Sequence, residues 1–281
     1  VIEEQPSQTA MTAAAARAAH LIVDGSPTIF ADTLAETLLG KQADEFIDYH
    51  RNHGDHPILR GARQQAVIRS RFTEDRLTAR IAEGVTQYVL LGAGLDSFAY
   101  RSTSGVRVFE VDHPATQAWK RRTLADAGIT LPDQLTMVPV DFETDSLADR
   151  LADSGFDPAS PAVVSWLGVI GYLTIDAIDH TLDVVGGFAP GTDIMIDYIL
   201  PHGMRDANGD LYVEQVSRVA AQRGEPWLTF LSPDDMTVLL AKHGFGSIEH
   251  FMQRDFPYWT GRSDGLSPNA LSVMVRATVT T

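Results

Sequence analysis

The chain has 281 residues, 44% of them hydrophobic and 21% charged, the make-up of an ordinary globular protein long enough for one large core. Its 37 acidic and 22 basic residues leave a formal net charge of −15, which opposes non-specific attraction to nucleic acid or to an anionic membrane surface. There is no cysteine, which excludes disulfide staples, thiolate zinc clusters and a cysteine nucleophile.

No apolar run approaches the roughly 20 residues that span a bilayer, and the stretch 1–12 lacks the basic and apolar regions of a secretion signal. The expectation is a cytoplasmic protein. From about residue 11 to residue 82 the composition favours helix, over 11–22 (alanine-rich), 28–39 and 58–82, with Gly25-Ser-Pro27 and the stretch from Asn52 to Pro57 as turns. At Val85 the texture changes. Short apolar runs rich in β-branched residues predict strands over 88–91, 106–111, 136–140, 162–166, 194–199, 247–251 and 271–279. Between them, 114–127, 145–152, 176–188 and 233–243 read as helices.

Continuous apolar strands alternating with helices are the signature of a parallel sheet covered on both faces. The last two strands have no helix between them, which predicts an antiparallel hairpin at one edge. The expected architecture is a doubly wound, seven-stranded, mostly parallel α/β core over 83–281. Residues 1–82 form a helical cap at the substrate entry, packed with that core as one compact unit. Segments 201–231 and 252–269 read as loop-rich insertions, and open α/β sheets bind ligands where such loops collect, beyond the carboxyl ends of the strands.

The sharpest local signal is Tyr88-Val-Leu-Leu-Gly-Ala-Gly-Leu-Asp96, a buried strand running into Gly92 and Gly94. Glycines there permit a tight turn and a close approach of backbone to ligand. About 18 residues beyond Gly94, Phe109-Glu-Val-Asp112 closes the next strand with an acid suited to a ribose diol. The same aspartate precedes His113 and Pro114 at a helix start, so capping is its competing role. A dinucleotide site would carry a third glycine or alanine where this chain has Ser97, and bound pyrophosphate would not favour Asp96 beside the turn. An acid there suits a cationic ligand.

The chain resembles the leucine carboxyl methyltransferase family in its bacterial branch of small-molecule and polyketide O-methyltransferases. The resemblance rests on Leu91-Gly-Ala-Gly-Leu-Asp-Ser-Phe-Ala-Tyr-Arg101, Phe109-Glu-Val-Asp-His-Pro114, Val140-Asp-Phe142 and Gly168-Val-Ile-Gly-Tyr-Leu-Thr174, and extends to Pro6-Ser-Gln-Thr-Ala10 and Arg69-Ser-Arg-Phe-Thr-Glu-Asp75. It implies a Rossmann-like methyltransferase with S-adenosylmethionine as methyl donor. By that resemblance Gly92 and Gly94 border the donor's methionine part, Asp112 holds the ribose, and Asp141 and Phe142 flank the adenine. Arg69, or failing that Arg71, clasps the donor carboxylate. One departure stands out: much of the family has an acid ahead of Gly-x-x-x-Tyr-Leu, where this chain reads Ser165-Trp-Leu-Gly168. Trp166 either stacks on a ligand or packs in the core.

The implied function is O-methylation of a small, largely apolar molecule in secondary metabolism. A carboxylate acceptor is favoured over a phenol, because a carboxylate is already ionised and a phenol needs a base. The candidate bases are His20, His113 and His202; Tyr172, Tyr198, Trp227, Tyr258 and Trp259 either shape an acceptor pocket or fill core. An anionic acceptor calls for local cations, for which the cap offers Arg17, Arg60, Arg63 and Arg71. His50, His53 and His56 have no helical ligand register, so no metal is expected. The alternatives are an NAD(P)-dependent oxidoreductase on a related sheet and a catalytically silent methyltransferase-like binding protein. Neither nucleic acid nor membrane is an expected partner, and oligomeric state is left open.

Overall fold

The computed structural model describes residues 7–142 and 144–280, so Pro6 of the first motif lies outside the described residues. The chain opens with helices α1 (Gln8–Val23), α2 (Ala35–Leu38), α3 (Ala43–His53) and α4 (Pro57–Ala82). Ser7 caps α1 by accepting from Ala10 N, and Pro57 occupies the first turn of α4, where its missing N–H costs nothing. The alanines of α1 let it lie close against its neighbours: Met11, Ala14, Ala15 and Ala18 share a small core with Leu38 and Ile47.

Two expectations fail here. Of the helix expected over 28–39 only the four residues of α2 form, because Asp32 turns inward to accept from Arg17 (2.7 Å) and Ser97 (2.5 Å) and from the nearby Leu34 N (3.2 Å). Helix α3 was not anticipated; Asp44 and Glu45 favour its first turn, and Ile47 and His50 form its buried face.

The second part runs β1 (Gln87–Leu91), α5 (Phe98–Arg101), β2 (Arg107–Asp112), α6 (Pro114–Asp126), β3 (Leu135–Pro139), α7 (Leu147–Asp153), β4 (Val163–Trp166), α8 (Ile175–Gly186), β5 (Asp193–Ile199), α9 (Ala207–Gln222), α10 (Pro233–Lys242), β6 (Phe245–Met252) and β7 (Ser272–Val279). The seven strands form one sheet in the order β3-β2-β1-β4-β5-β7-β6. All neighbours from β3 to β5 are parallel, and β7 runs antiparallel to both β5 and β6. The expected hairpin is therefore at the edge, with its second strand inserted inward of its first.

Alternation along the strands builds a core on each face. Val89, Leu91, Phe109, Val164 and Trp166 face one side; Tyr88, Leu90, Val108 and Val163 face the other, where α4 adds Val67, Ile68, Phe72 and Leu77. Segment 201–231, expected as loop, contains the sixteen-residue α9, capped by Asp206 and buried through Gly209, Val213 and Ala220. Among the described residues no helix is long and apolar enough to cross a membrane.

Candidate active site

Strand order reverses between β1 and β4, and at such a point the loops leaving two adjacent strands open a crevice. The turn after β1 is shaped by glycine: Gly92 has φ +68° and Gly94 φ +50°. A β-carbon on Gly92 would collide with Val169 in the loop after β4, and one on Gly94 would sit 3.1 Å from Ala10 Cβ of α1. The amides of Gly92 and Ala93 both donate to Val111 O, at 2.9 and 3.0 Å, which folds the turn over the end of β2.

Asp112 closes β2, and its two oxygens accept from Gly94 N and from His113 N (2.6 Å). Burial pushes its pKa upward, and these amides pull against that rise. A carboxylate has about four lone-pair sites, so two acceptor positions stay open. Asp141 and Phe142 follow β3; Asp141 N donates to Asp145 Oδ2 (2.9 Å), and Phe142 packs half-buried on the core. Gly92, Gly94, Asp112 and Asp141 thus form a rim along the carboxyl ends of β1, β2 and β3.

Arg69 reaches in from α4. Its guanidinium lies over Gly168, where a β-carbon would overlap it, and Nη1 is 3.5 Å from Asp197 Oδ2 of β5. Asp197 Oδ1 accepts from Gly168 N. The nearest acid to this loop after β4 thus comes from the neighbouring strand β5. The contact to Arg69 is long, which leaves most of its five N–H donors for a ligand. Beyond this pair lies a cavity of about 680 Å³ enclosed by α1, α3, α4, α9 and the ends of β4 and β5. Leu59, Ala62, Val169, Ile199 and Val216 give it mostly apolar walls; Tyr172, Tyr212 and Trp227 add an aromatic corner. Its charged lining is Arg69, Arg223, Glu45, Asp197 and Glu225.

Comparison with known proteins decides what this crevice belongs to. Residues 10–186 match the family described as Leucine carboxyl methyltransferase. A Bacillus subtilis (strain 168) relative, named "Putative S-adenosyl-L-methionine-dependent methyltransferase YktD", is 31% identical over 94% of this chain and 95% of its own length. The chain belongs to the leucine carboxyl methyltransferase family. With membership come its reaction class, methyl transfer, and its donor, S-adenosylmethionine. Solved structures agree on the fold alone. A Thermobifida fusca YX protein titled "putative methyltransferase" superposes with TM-score 0.61 at 16% identity, covering 99% of this chain and 96% of that one. Human N-acetylserotonin methyltransferase in complex with SAM gives TM-score 0.51 at 14% identity, over 84% and 59%.

The methyltransferase distributes the other expected residues differently from the sequence reading. None of the three base candidates borders the cavity. His20 is buried, its Nδ1 2.9 Å from Asp24 and its Nε2 accepting from Ile29 N (3.1 Å); His113 caps α6 through Ala115 N; His202 is exposed beside Asp210. Each does the capping or pairing work that short polar side chains do near helix ends. The histidines that do border the cavity are His50 and His56.

The cap arginines are a second correction. Arg17 is buried on Asp32 and on Leu95 O (2.6 Å), Arg63 forks Asp24 at 2.9 Å through two nitrogens, and Arg60 holds Asp55 (2.9 Å). Arg71 grips Asp75 and stacks 5.3 Å over Tyr258. None of them lines the cavity; Arg69 and Arg223 do. Trp166 fills the core, and Tyr198 is buried with its hydroxyl on His250. Tyr258 and Trp259 pack beside α4 away from the cavity, so only Tyr172 and Trp227 of the expected aromatics reach it. Asp197, Tyr212 and Glu225 escaped the sequence reading, and Thr9 entered it only as part of the motif Pro6-Ser-Gln-Thr-Ala10. Of the three that escaped, Asp197 carried a signal, as a lone acid inside the apolar run of β5.

Proposed function

We propose that this methyltransferase methylates oxygen on a small, largely apolar molecule, with a carboxylate as acceptor, as a tailoring step on a secondary metabolite. The observation that supports this is a mostly apolar cavity whose histidines offer no proton-accepting nitrogen. His56 Nδ1 accepts from Ile58 N (3.3 Å) as the cap of α4. His50 Nδ1 faces Arg63 Nη1 (3.3 Å), and burial together with that guanidinium pushes its pKa down to about 4. With Nδ1 so engaged, the neutral form of either ring carries its proton on Nε2. A phenol would have no histidine to ionise it here, whereas a carboxylate arrives ionised.

The residues present fit the donor. When bound, S-adenosylmethionine supplies an electrophilic methyl group on a sulfonium. Asp112 has open acceptor positions for a ribose diol, the left-handed Gly92–Gly94 turn packs tightly against Val169 and Ala10 beside that acid, and Asp141 with Phe142 offers an acid and a ring for the adenine. Arg69 and Asp197, side by side, present a cation and an anion to a zwitterionic amino-acid end. The chain's remaining task is alignment and exclusion of water, since in-line displacement at a sulfonium dissipates charge. Residues 1–82 act as the cap that closes this site. Exposed Arg223, at the cavity wall beyond α9, gives an anionic acceptor a local cation.

Alkaline hydrolysis of the methylated product is the direct test. A methyl ester is saponified under mild base; a product that survives as an aryl methyl ether would sink the carboxylate assignment.

A further inference from the structure

Gly61 lies inside α4, one turn past its start, where glycine costs about 1 kcal/mol relative to alanine. Its open side is filled: a β-carbon there would lie 2.9 Å from Tyr212 Cδ2 and 3.1 Å from Cε2. The ring of Tyr212, carried by α9, is thus seated directly on the backbone of the cap helix. Its other neighbour is Trp227, stacked at 6.4 Å between centroids and 28° between planes. Trp227 in turn meets Tyr172 edge-on, at 6.2 Å and 87°. All three rings border the cavity.

The Tyr212 hydroxyl has no hydrogen-bond partner among the described residues. Tyr172, by contrast, has its hydroxyl paired with Thr9 Oγ1 at 3.3 Å. Desolvation and the nearby Tyr172 raise the Tyr212 pKa, with Arg69 opposing, so the phenol stays protonated and able to donate. A half-buried, unpartnered donor beside a cavity that already holds Arg69 and Asp197 at its sheet end is placed to meet an oxygen of whatever occupies the cavity.

We infer that Tyr212 determines acceptor specificity: seated on Gly61, it donates a hydrogen bond to the acceptor carboxylate and, with Trp227 and Tyr172, selects a flat, conjugated acid over a linear one. This rests on the reading of the cavity as the acceptor site. Offset-stacked and edge-on ring contacts reward a planar partner, while an alkyl chain gains only area.

The test uses the full chain with S-adenosylhomocysteine bound, and two probes of equal carbon count, 2-naphthoate and undecanoate, titrated by calorimetry. Naphthoate is expected to bind the wild type the more tightly. Tyr212→Phe, which keeps the ring, should weaken naphthoate about tenfold and leave S-adenosylhomocysteine affinity unchanged. Gly61→Ala, which displaces the ring, should shift naphthoate in the same direction while melting no lower than the wild type by more than a few degrees. Naphthoate binding that is identical in wild type and Tyr212→Phe overturns the role of Tyr212 and leaves the cavity assignment standing. A tighter grip on undecanoate overturns the planar selectivity. If neither acid binds the wild type while S-adenosylhomocysteine does, the cavity reading itself falls, and Tyr212 with it.

Discussion

The two sides of the proposed active site are built on opposite plans. The proposed cofactor rim comes from one stretch of chain, β1 to just past β3, and its carboxylate is held by backbone: Asp112 accepts from Gly94 N and His113 N. The acceptor cavity is assembled from distant segments, with Thr9 Oγ1 of α1 donating to Glu225 Oε2 at 2.6 Å across 216 positions of sequence. A rim fixed by amides tolerates little change, whereas a cavity walled by side chains from separate helices can alter its acceptor without disturbing the donor site. Changes at the rim should therefore cost both stability and cofactor binding, and changes in the cavity away from Arg69 and Asp197 should cost acceptor binding alone.

The sharpest way to break that comparison is Gly92→Ala. The residue has φ +68°, and its new β-carbon would meet Val169, so left-handed strain and overpacking add to a loss of about 2–4 kcal/mol. Denaturant unfolding measures it; a variant as stable as wild type would show that the turn yields. Next comes Asp112→Ala, expected to weaken S-adenosylmethionine at least tenfold, since a charged acceptor lost to a ribose diol costs about 1.5–3 kcal/mol. Calorimetry on the folded variant decides, and an unchanged dissociation constant would remove the rim assignment. Asp112→Asn, which keeps an acceptor oxygen for Gly94 N, separates the turn from the ribose.

How legible each side was in sequence follows from the same contrast. All seven strands lie within two residues of their expected places, because a buried strand writes its own apolar run, and the glycine turn and Asp112 sit in a single local motif. The cavity had no such motif. Tyr212 sits in α9, whose Asn208-Gly209 opening reads as a turn, yet Gly209 is there because Ala270 O lies 2.8 Å from where its β-carbon would be. That constraint comes from a residue far along the chain. His20 and Arg17 misled for the mirror reason: polar residues on the alanine-rich helix looked available for chemistry, but Asp24 and Asp32 hold them inside the cap. Those partners are set by tertiary packing, and the expected helix over 28–39 was lost to the same Asp32.

A smaller effect separates cap from sheet by pH. The cap is tied by the buried pairs Arg17–Asp32 and Arg63–Asp24. Burial raises both carboxyl pKa values, but the guanidinium charges and hydrogen bonds outweigh it and hold them below the ordinary 3.8. Their contribution is thus complete above 3.8 and lost as pH falls through the depressed values. Glu74 has the opposite sign: burial, opposed by Arg101, raises it to about 7, so its favourable share is complete below 4.5 and lost as pH rises towards 7. Hydrogen-exchange protection of α1 and α4 should peak at about pH 4 to 4.5, falling steeply below that and gently from there to 7. A cap equally protected at pH 3 and pH 5 would show that its ion pairs do not hold it.

The smallest expected effect is no change at all. If the acceptor is a carboxylate, the transferring oxygen is ionised throughout the range where the enzyme is folded, and kcat should be flat from about pH 6 to 9. The cavity histidines do not disturb this, because His50 is neutral above its value of about 4 and His56 is committed through Nδ1 to the start of α4. His56→Gln, which retains an acceptor for Ile58 N, should keep kcat within about twofold, as expected for a residue that passes no proton in the rate-limiting step. A phenol assisted by a histidine would instead give a rate rising through about pH 6.5, the ordinary imidazole value, and falling away in the variant. That outcome would move proton transfer into the cavity. The side of the site that looks adjustable would then hold part of the chemistry, and its residues could no longer vary independently of the rim.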